Sequence, residues 1–248
     1  MRDVIVITGA GQGLGEFIAK ALISNGFRVA VTDINEDKAL EVARRLSGHD
    51  DAIAAGFKLD VMHKADFVKA LADIEAHFGQ VHGLVNNAAL TLTTPVMEVT
   101  AEEFNKVLNV NLRGTLFGCQ VFGEYLADKG YGRIVNMASL AGQNGGAAAG
   151  VHYASSKGGI LTMTKVFASN LAAKGVTVNA VAPGPMDLPI VRELVSPERL
   201  AHLLENVIPV KALGSPDFVG SMVSQLVDRN AFGVTGATWD ANGGLSMR

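Results

Sequence analysis

The chain is short of the features that define several classes of protein. Cys119 is the one cysteine among 248 residues, which excludes an internal disulfide and suits a reducing compartment. The formal net charge is only −3 with both signs interspersed, so neither nucleic acid nor an anionic membrane is an expected partner. No apolar run is long enough to span a bilayer, and Met1 leads directly into charged residues and a predicted strand, which leaves no room for a signal peptide. We therefore expect a cytoplasmic protein.

Metal-binding spacings are missing from the sequence as well. The six histidines form neither an HxH nor an HExxH pattern, so we expect no catalytic metal. The sequence also has no recognisable linker, repeat, low-complexity segment or charge run. With 48% hydrophobic residues a chain of this length can bury one large core, and a single domain over residues 1–248 accounts for it.

Short apolar segments alternate with amphipathic ones along the chain. The strand pattern occurs at 3–8, 28–33, 53–59, 82–86, 132–138, 176–182 and 236–240. Helical periodicity occurs at 15–25, 36–46, 64–78, 101–128, 152–173 and 217–228, with a short helix within 197–206. This alternation predicts an α/β fold: a Rossmann-type, doubly wound parallel sheet of about seven strands flanked by helices.

Two details within the helix predicted at 101–128 can be read from the sequence. Thr100 and Glu103 have the spacing of a capping box at its start. The run Asn-Val-Asn at 109–111 predicts a local distortion of the helix, because asparagine favours caps and turns over helix interiors.

A glycine-rich turn follows the first predicted strand. The run GAGQGLG contains Gly9, Gly11, Gly13 and Gly15 and leads into an amphipathic segment. A strand, a glycine-rich turn and a helix start together aim backbone N–H groups and the positive end of the helix at a phosphate. The spacing is TGxxxGxG rather than GxGxxG, with Leu14 where the third glycine of the latter would stand. The segment therefore predicts a pyrophosphate site.

Tyr153 and Lys157 are four residues apart in the segment HYASSKGGI. On a helix such a pair projects from one face, and an ammonium beside a phenol favours the phenolate. Because a free tyrosine titrates near ~10, this pairing predicts an acid/base tuned toward neutral pH. The hydroxyl of Ser139, fourteen residues upstream of Tyr153, is suited to hold the same substrate oxygen.

Together these motifs resemble the short-chain dehydrogenase/reductase family over nearly the whole chain. The matches occur in family order: TGAGQGLG at 8–15, Asp60-Val61, NNA at 86–88, Asn111 within NVNLRG, Ser139, YASSK at 153–157 and PG at 183–184. The resemblance implies hydride transfer between a substrate carbon and a nicotinamide, with the matching proton exchanged by Tyr153.

The resemblance also assigns roles to individual residues. The catalytic set is Asn111, Ser139, Tyr153 and Lys157; Asn111 would hold a water that links Lys157 to solvent, and Lys157 would also bind the nicotinamide ribose. Asp60 and Val61 would line the adenine pocket, and Asn87 would brace the sheet nearby. The full implied cofactor set is Gly9, Gly13, Leu14, Gly15, Asp33, Asp60, Val61, Asn87, Ala88, Tyr153, Lys157, Pro183 and Gly184.

Asp33, at the end of the second predicted strand, bears on cofactor choice. A carboxylate there accepts hydrogen bonds from ribose hydroxyls and repels a 2′-phosphate. The loop position where NADP-dependent relatives commonly carry a basic residue holds Gln12. We therefore expect NAD as the cofactor. Three positions depart from the family pattern: Ala89 stands where glycine is common, Leu188 where a threonine often contacts the carboxamide, and Asn242 where an aspartate commonly precedes two glycines.

The segments after Ser139 and after Gly184 are expected to bind the substrate. The expected contacts are Ser139, Gln143, Asn144, His152, Tyr153 and Met186; for His152 the alternative is a simple role at the helix start. Residues 184–212 form the expected lid, in which Arg192 is the one cation of PMDLPIVRELV. These features favour a small, partly apolar alcohol or ketone as the substrate.

The two long helices carry more apolar residues than one sheet face requires. These residues are Leu116, Phe117, Val121, Phe122, Leu161, Met163, Val166 and Phe167. The family that the chain resembles commonly forms dimers or tetramers by pairing these helices. The resemblance and these residues together predict a homo-oligomer, with a tetramer favoured and a dimer possible, unless the residues fill a thick monomer core. For the function, two alternatives to a secondary-alcohol dehydrogenase or ketone reductase remain: a 3-oxoacyl-(acyl-carrier-protein) reductase, and a nucleotide-sensing protein without catalysis.

Overall fold

Strands and helices alternate along the chain, as the sequence predicts. The computed structural model describes residues 3–146, 150–189, 191 and 195–247. The strands are β1 (Val4–Thr8), β2 (Arg28–Asp33), β3 (Ala54–Lys58), β4 (Gly83–Asn86), β5 (Gly132–Met137), β6 (Val176–Pro183) and β7 (Thr238–Ala241). The helices are α1 (Leu14–Ser24), α2 (Glu36–Ser47), α3 (Lys64–Phe78), α4 (Ala101–Leu108), α5 (Gly114–Asp128), α6 (Ala141–Asn144), α7 (Val151–Leu171), α8 (Pro197–His202) and α9 (Pro216–Val227).

The seven strands form one parallel sheet in the order β3-β2-β1-β4-β5-β6-β7. The chain builds outward from β1 to β3 and then returns to the other side of β1 at β4. The order therefore reverses between β1 and β4, the place where open α/β sheets hold their ligands beyond the carboxyl ends of the strands. The predicted fold class is confirmed.

The residues of the central strand alternate between two hydrophobic layers. Ile5 and Ile7 of β1 face the side covered by α1, α2 and α9, whereas Val4 and Val6 face the side covered by α3, α5 and α7. All four side chains are completely buried. Both faces of the sheet are thus covered around β1, which is why this strand is a continuous, largely β-branched run (VIVIT) rather than an alternating one.

The helix predicted at 101–128 is interrupted where the sequence indicated. Residues Asn109–Arg113 form a π-helical turn between α4 and α5, so the predicted distortion is confirmed. The start of α4 is also capped as predicted, since Thr100 Oγ1 accepts a hydrogen bond from the Glu103 N–H at 3.2 Å. Single π turns inside α-helices are frequent at functional sites, and this one contains Asn111.

A charged cluster closes the edge of the sheet opposite the predicted site. Arg229 binds both carboxylate oxygens of the buried Asp3, at 2.6 and 2.9 Å. Burial raises the pKa of Asp3, but the hydrogen bond and charge of Arg229 outweigh it, so the net pKa is lowered. His82 Nδ1 accepts the Val4 N–H at 3.1 Å, and burial lowers the pKa of this imidazole. The cluster ties the start of the chain to the turn after α9.

The expected lid is only partly covered by the structure. It contains α8 and a π-helical turn at Leu203–Val207, whereas Arg192 lies outside the described residues. An isolated bridge between Met186 and Gly214 joins the start of the segment to the residues just before α9. Within the described ranges, no helix is long and apolar enough to cross a membrane, and no group of side chains is suited to hold a metal ion.

The apolar residues proposed for an interface divide into two sets. Val121 and Phe122 are buried in the core of the single chain, at 9% and 0% exposure, so for these two the monomer-core reading holds. Val166 is 55% exposed. The remaining five are partly exposed: Leu116, Phe117, Leu161, Met163 and Phe167. Apolar surface therefore persists on both long helices.

Candidate active site

The glycine-rich loop lies at the reversal of strand order. Gly9 has φ +62°, and a Cβ there would lie 2.7 Å from the Ala88 Cα. Gly15 approaches the Gly9 carbonyl and the Asn87 amide so closely that its Cβ would lie 2.6 and 2.7 Å from them. Side chains at these two positions would push the loop off β4, so glycine is required here.

Gly13 leaves room where a phosphate is expected. It caps α1 with φ +61°, no side chain caps this helix, and a Cβ on Gly13 would meet nothing within 4 Å. The first N–H groups of α1 thus have no side-chain cap, and the start of this helix fits the anionic pyrophosphate of a dinucleotide. Leu14, the first residue of α1, packs on the core beneath the loop.

Asn87 and Thr8 join the loop to the central sheet. The Asn87 side-chain amide donates to the carbonyls of Thr8 and Gly9, each at 2.9 Å. The Thr8 hydroxyl accepts the backbone N–H groups of Asn87 and Ala88, each at 3.0 Å. Asn87 therefore braces the sheet at the switch point, as the resemblance implied.

The Asp33 carboxylate lies beside the loop and has hydrogen-bond acceptor positions that the described part of the chain does not use. Its carboxylate accepts the N–H of Gly11 at 3.1 Å and that of Asn35 at 3.0 Å. Since a carboxylate has about four acceptor positions, two remain for ribose hydroxyls. Sequence reasoning missed the neighbouring cation: Lys38 donates to Gln12 Oε1 at 2.6 Å, with its Cβ packed near Gly11. Its position five residues after Asp33, early in α2, was the available signal.

Asp60 and Val61 follow β3 at the same edge of the sheet. Asp60 Oδ1 accepts the Met62 N–H at 2.9 Å, which fixes the turn after the strand. Val61 is 7% exposed and packs against Gly114, where a Cβ would lie 3.0 Å from the Val61 Cβ. Their place near the loop agrees with the expected adenine pocket, and their contact with adenine stays a prediction.

Ser139, Tyr153 and Lys157 come together where β5 meets α7. The Ser139 hydroxyl accepts the Ala141 N–H at 3.1 Å and also hydrogen-bonds the Tyr153 hydroxyl. Lys157 is 3% exposed; its Nζ donates to the Met137 carbonyl at 2.6 Å and lies 5.6 Å from the centroid of the Tyr153 ring. The sequence-predicted residues are thus assembled around one phenol.

The pKa of Tyr153 does not move in the predicted direction. Burial raises it, and hydrogen bonds with the hydroxyls of Ser139 and Thr91 counteract only part of that shift. Burial also lowers the pKa of Lys157 to about 8. The prediction that Lys157 brings the phenol's pKa below its ordinary value is therefore wrong for this structure, because desolvation disfavours both charged forms.

Asn111 is buried and its side chain is fully used. Its Oδ1 accepts the Leu90 N–H at 2.7 Å, while its Nδ2 donates to the Leu90 carbonyl at 3.0 Å and to Ser156 Oγ at 3.1 Å. Its own carbonyl accepts the Thr115 hydroxyl at 2.7 Å. Asn111 thus links the π turn, the segment after β4 and α7. The water assigned to it by resemblance stays a prediction.

Three of the expected substrate contacts point elsewhere in this structure. His152 is completely buried: one ring nitrogen lies 2.7 Å from Glu103 Oε1, and the other accepts the Tyr153 N–H at 2.8 Å. Met186 is 6% exposed and packs into the core below Gly214. Gln143 donates to Asp240 Oδ1 at 2.6 Å. In this structure His152 therefore has the alternative role at the helix start and Met186 is a core residue, whereas contact of Gln143 with the substrate stays a prediction.

The remaining predicted positions lie along the cleft. Asn144 is exposed, and its Oδ1 accepts the Gly146 N–H at 2.9 Å. The Pro183 carbonyl accepts the Leu140 N–H at 2.9 Å, which joins the end of β6 to the turn after Ser139. Gly184 is held by Asn242, since a Cβ there would lie 2.8 Å from the Asn242 Cα. Asn144, Pro183 and Gly184 thus remain next to the site.

A row of hydrogen-bonded polar side chains is buried next to the site, and no motif assigned a catalytic role to its members. Asn86 donates to Asn136 Oδ1 at 2.9 Å, and Asn136 in turn donates to the Thr164 hydroxyl at 3.0 Å. Cys119 contacts both asparagines at 3.5 Å, and burial raises the pKa of its thiol to about 12. The cysteine is therefore an inert packing residue, and the hydrogen-bonded chain connects β4 and β5 with α7.

Comparison with known proteins agrees with this arrangement. A family model described as Enoyl-(Acyl carrier protein) reductase matches residues 9–246. Acetoacetyl-CoA reductase of Shinella zoogloeoides is 35% identical over 245 residues, which cover 98% of each chain. Diacetyl reductase of Staphylococcus aureus, which forms (S)-acetoin, is 35% identical over 257 residues, covering 100% of this chain and 99% of that one.

A fatty-acid-type reductase is similar over a comparable length. The 3-oxoacyl-(acyl-carrier-protein) reductase of Salmonella typhimurium is 32% identical over 244 residues, covering 98% of this chain and 97% of that one. The relatives span the chain from end to end, and the site retains the serine, tyrosine and lysine that the motifs indicated. The chain belongs to the short-chain dehydrogenase/reductase family, whose members here are oxidoreductases acting on secondary alcohol and ketone groups.

Proposed function

We propose that the protein is an NAD(H)-dependent oxidoreductase that interconverts a secondary alcohol and a ketone on a small, partly apolar metabolite in the cytoplasm. One observation carries this proposal: the Tyr153 hydroxyl, hydrogen-bonded by Ser139, lies at the same sheet edge as the glycine-rich loop. A proton-transfer group and a dinucleotide site therefore open into one cleft.

The chain's own residues supply binding, orientation and proton transfer. A bound nicotinamide supplies the carbon that accepts or gives the hydride. Ser139 orients the substrate oxygen by a hydrogen bond, and Tyr153 takes the proton of the alcohol during oxidation or returns it during reduction. Lys157, whose Nζ donates to the Met137 carbonyl, would bind the nicotinamide ribose. Asn111 holds these elements in register.

Asp33 supports NAD over NADP as the cofactor. Its two spare acceptor positions suit the hydroxyls of an adenosine ribose, and its charge opposes a 2′-phosphate. Lys38 acts against this preference, because its exposed ammonium donates a hydrogen bond to Gln12 of the same loop. We propose that Asp33 dominates, since it contacts the loop backbone directly whereas Lys38 reaches it through Gln12.

A second candidate is the reduction of a 3-oxoacyl thioester. It is favoured by two relatives, the acetoacetyl-CoA reductase and the 3-oxoacyl-(acyl-carrier-protein) reductase. A carrier protein is acidic and needs a basic docking surface, to which Lys129 and Lys174 would contribute. Lys129 lies 3.5 Å from Glu75, so its charge is partly balanced. The diacetyl reductase relative supports a small ketone instead.

The decisive experiment compares substrates and cofactors in one assay. Small secondary alcohols, small ketones and acetoacetyl-CoA are each offered with NAD(H) and with NADP(H), and kcat/KM is measured. We expect a small ketone or alcohol to be preferred, with at least a tenfold advantage for NAD(H), or about 1.4 kcal/mol. Equal efficiency with NADP(H) would refute the cofactor assignment, and preference for the thioester would favour the second candidate. NAD binding without any turnover would indicate a nucleotide sensor.

The exposed apolar residues of α5 and α7 support assembly into a homo-oligomer, with a tetramer favoured over a dimer. Phe117 and Phe167 remain partly exposed, and Val166 is more than half exposed. Light scattering at micromolar concentration tests this directly. A monomer alone would refute it.

A further inference from the structure

We propose that Thr91 is a further catalytic residue, whose hydroxyl donates a hydrogen bond to the Tyr153 oxygen while that oxygen exchanges the substrate proton. The inference deepens the proposed function and rests on it, because it assumes that Tyr153 is the acid/base. Thr91 belongs to none of the motifs that identify the family in this sequence. No proton leaves Thr91 in this role; the alcohol's proton passes to Tyr153.

The backbone on both sides of Thr91 is fixed. The N–H and carbonyl of Leu90 are both bound by the Asn111 side chain, at 2.7 and 3.0 Å. The carbonyl of Leu92 accepts the N–H of Gly150, the residue before α7, at 3.1 Å. Thr91 is therefore held between the π turn and the start of the helix that carries Tyr153.

Close packing at Gly150 and the hydrogen bonds of Glu103 also hold the loop of Thr91 against the start of α7. A Cβ on Gly150 would lie 2.8 Å from the Leu92 carbonyl oxygen and would clash with the His152 ring, so only glycine lets the loop approach. Glu103 hydrogen-bonds Thr94 and His152, the residue next to Tyr153. The loop and the helix start are thus joined on either side of the phenol.

The hydroxyls, rather than the ammonium, reach the phenol oxygen. Thr91 and Ser139 both hydrogen-bond the Tyr153 hydroxyl, whereas Lys157 donates to the Met137 carbonyl. Ser139 is needed by the substrate oxygen during turnover. Thr91, which is an exposed residue, then remains as a donor to the phenolate. A hydrogen bond to the charged form stabilises it, so the phenol ionises at lower pH than it would without Thr91.

The test removes the hydroxyl and keeps the shape of the side chain. Thr91→Val deletes it, Thr91→Ser retains it, and Thr93→Val makes the same change at another exposed threonine of the loop. The measurement is kcat/KM for alcohol oxidation against pH, together with NAD affinity by fluorescence. We expect Thr91→Val to move the alkaline rise up by about one pH unit, since one modest hydrogen bond corresponds to about that shift.

The same shift sets the expected loss of rate. On the rising limb the rate follows the ionised fraction, so a one-unit shift lowers kcat/KM at neutral pH about tenfold. Thr91→Ser and Thr93→Val should keep the parental profile, and NAD affinity should be unchanged in all three. If Thr91→Val does not fold, Thr91→Ala replaces it, with the same expected shift.

Two results would overturn the inference. One is a parental pH profile in Thr91→Val; the other is a raised KM with an unmoved profile, which would make Thr91 a substrate contact only. Tyr153→Phe separates this failure from that of the proposed function. If Tyr153→Phe is inactive while Thr91→Val has the parental profile, only the role of Thr91 fails. If Tyr153→Phe retains turnover, the acid/base assignment itself fails.

Discussion

Replacing Asn111 by alanine separates two roles that this residue can have. The family resemblance assigns it a water that connects Lys157 to solvent, whereas the structure shows it as a tie between three parts of the chain. Its side chain is completely buried and makes three hydrogen bonds, two of them to the backbone of Leu90. The structural role predicts a loss of stability even without cofactor or substrate.

The size of that loss follows from the groups left behind. In Asn111→Ala the N–H and carbonyl of Leu90 both lose their partner, whereas Ser156 keeps its hydrogen bond to the Tyr153 carbonyl at 2.7 Å. A buried polar group without a partner costs ~1–3 kcal/mol, and water reaches the half-buried Leu90 in part, so we expect a loss of ~2–3 kcal/mol. For a chain of this length that lowers Tm by roughly 4–12 °C.

Urea unfolding and thermal melting of the cofactor-free protein measure this loss. Asn109→Ala is the matched control, because Asn109 lies in the same π turn and its side chain makes no hydrogen bond within the described ranges. We expect that variant to stay within ~0.5 kcal/mol of the parent. An Asn111→Ala protein with the parental urea midpoint and low turnover would refute the structural role and leave only the water.

Four further predictions concern Tyr153, Lys157, Asp33 and His82. Tyr153→Phe should lower turnover by roughly 10²–10⁴-fold with little change in NAD affinity, as single-turnover kinetics and NAD titration would show. Burial lowers the pKa of Lys157 to about 8, so the NAD affinity of the parent should fall as the pH rises past that value. Lys157→Met should bind NAD weakly at every pH. A parental NAD affinity that is constant to pH 9 would contradict this prediction. Asp33→Ser should raise NADP(H) use, measured as kcat/KM, and a second change, Lys38→Met, should abolish that gain; persistence of the gain would show that Lys38 is not the phosphate partner. The pKa of His82 in the folded protein lies below its ordinary 6.5, so as the pH falls the unfolded chain is protonated at this residue before the folded one. The free energy of unfolding should therefore decrease as the pH falls below 6.5. His82→Asn should flatten that decrease in urea titrations.

Local patterns were sufficient to predict the elements themselves. The predicted apolar segments formed strands whose ends lie within two residues of the prediction, because such segments fit a sheet that is covered on both faces. The asparagine pair 109 and 111 indicated the π turn for a physical reason: its amides compete with helix hydrogen bonds. The structure adds what Asn111 binds, the backbone of Leu90, which no local pattern contains.

Contacts between distant segments could not be predicted from single patterns. Thr100 and Glu103 match a capping box, but the Glu103 carboxylate binds His152, forty-nine residues away, as well as Thr94. Met186 was assigned to the substrate because its segment is apolar, yet its bridge to Gly214 turns it into the core. Apolar character predicts that a side chain is buried somewhere, and the fold decides against what.

Tyr153 and Lys157 show the same difference between what a local pattern predicts and what contacts with distant segments determine. The four-residue spacing placed Lys157 on the face of Tyr153, and the ammonium does lie 5.6 Å from the ring. It did not determine where the ammonium donates, which is the Met137 carbonyl, twenty residues upstream of Lys157. Nor did it determine the pKa of the phenol, because burial and two hydroxyls on other segments act on it. The motif therefore predicts which groups meet, whereas burial and, after it, the hydroxyls of Ser139 and Thr91 decide how readily Tyr153 ionises.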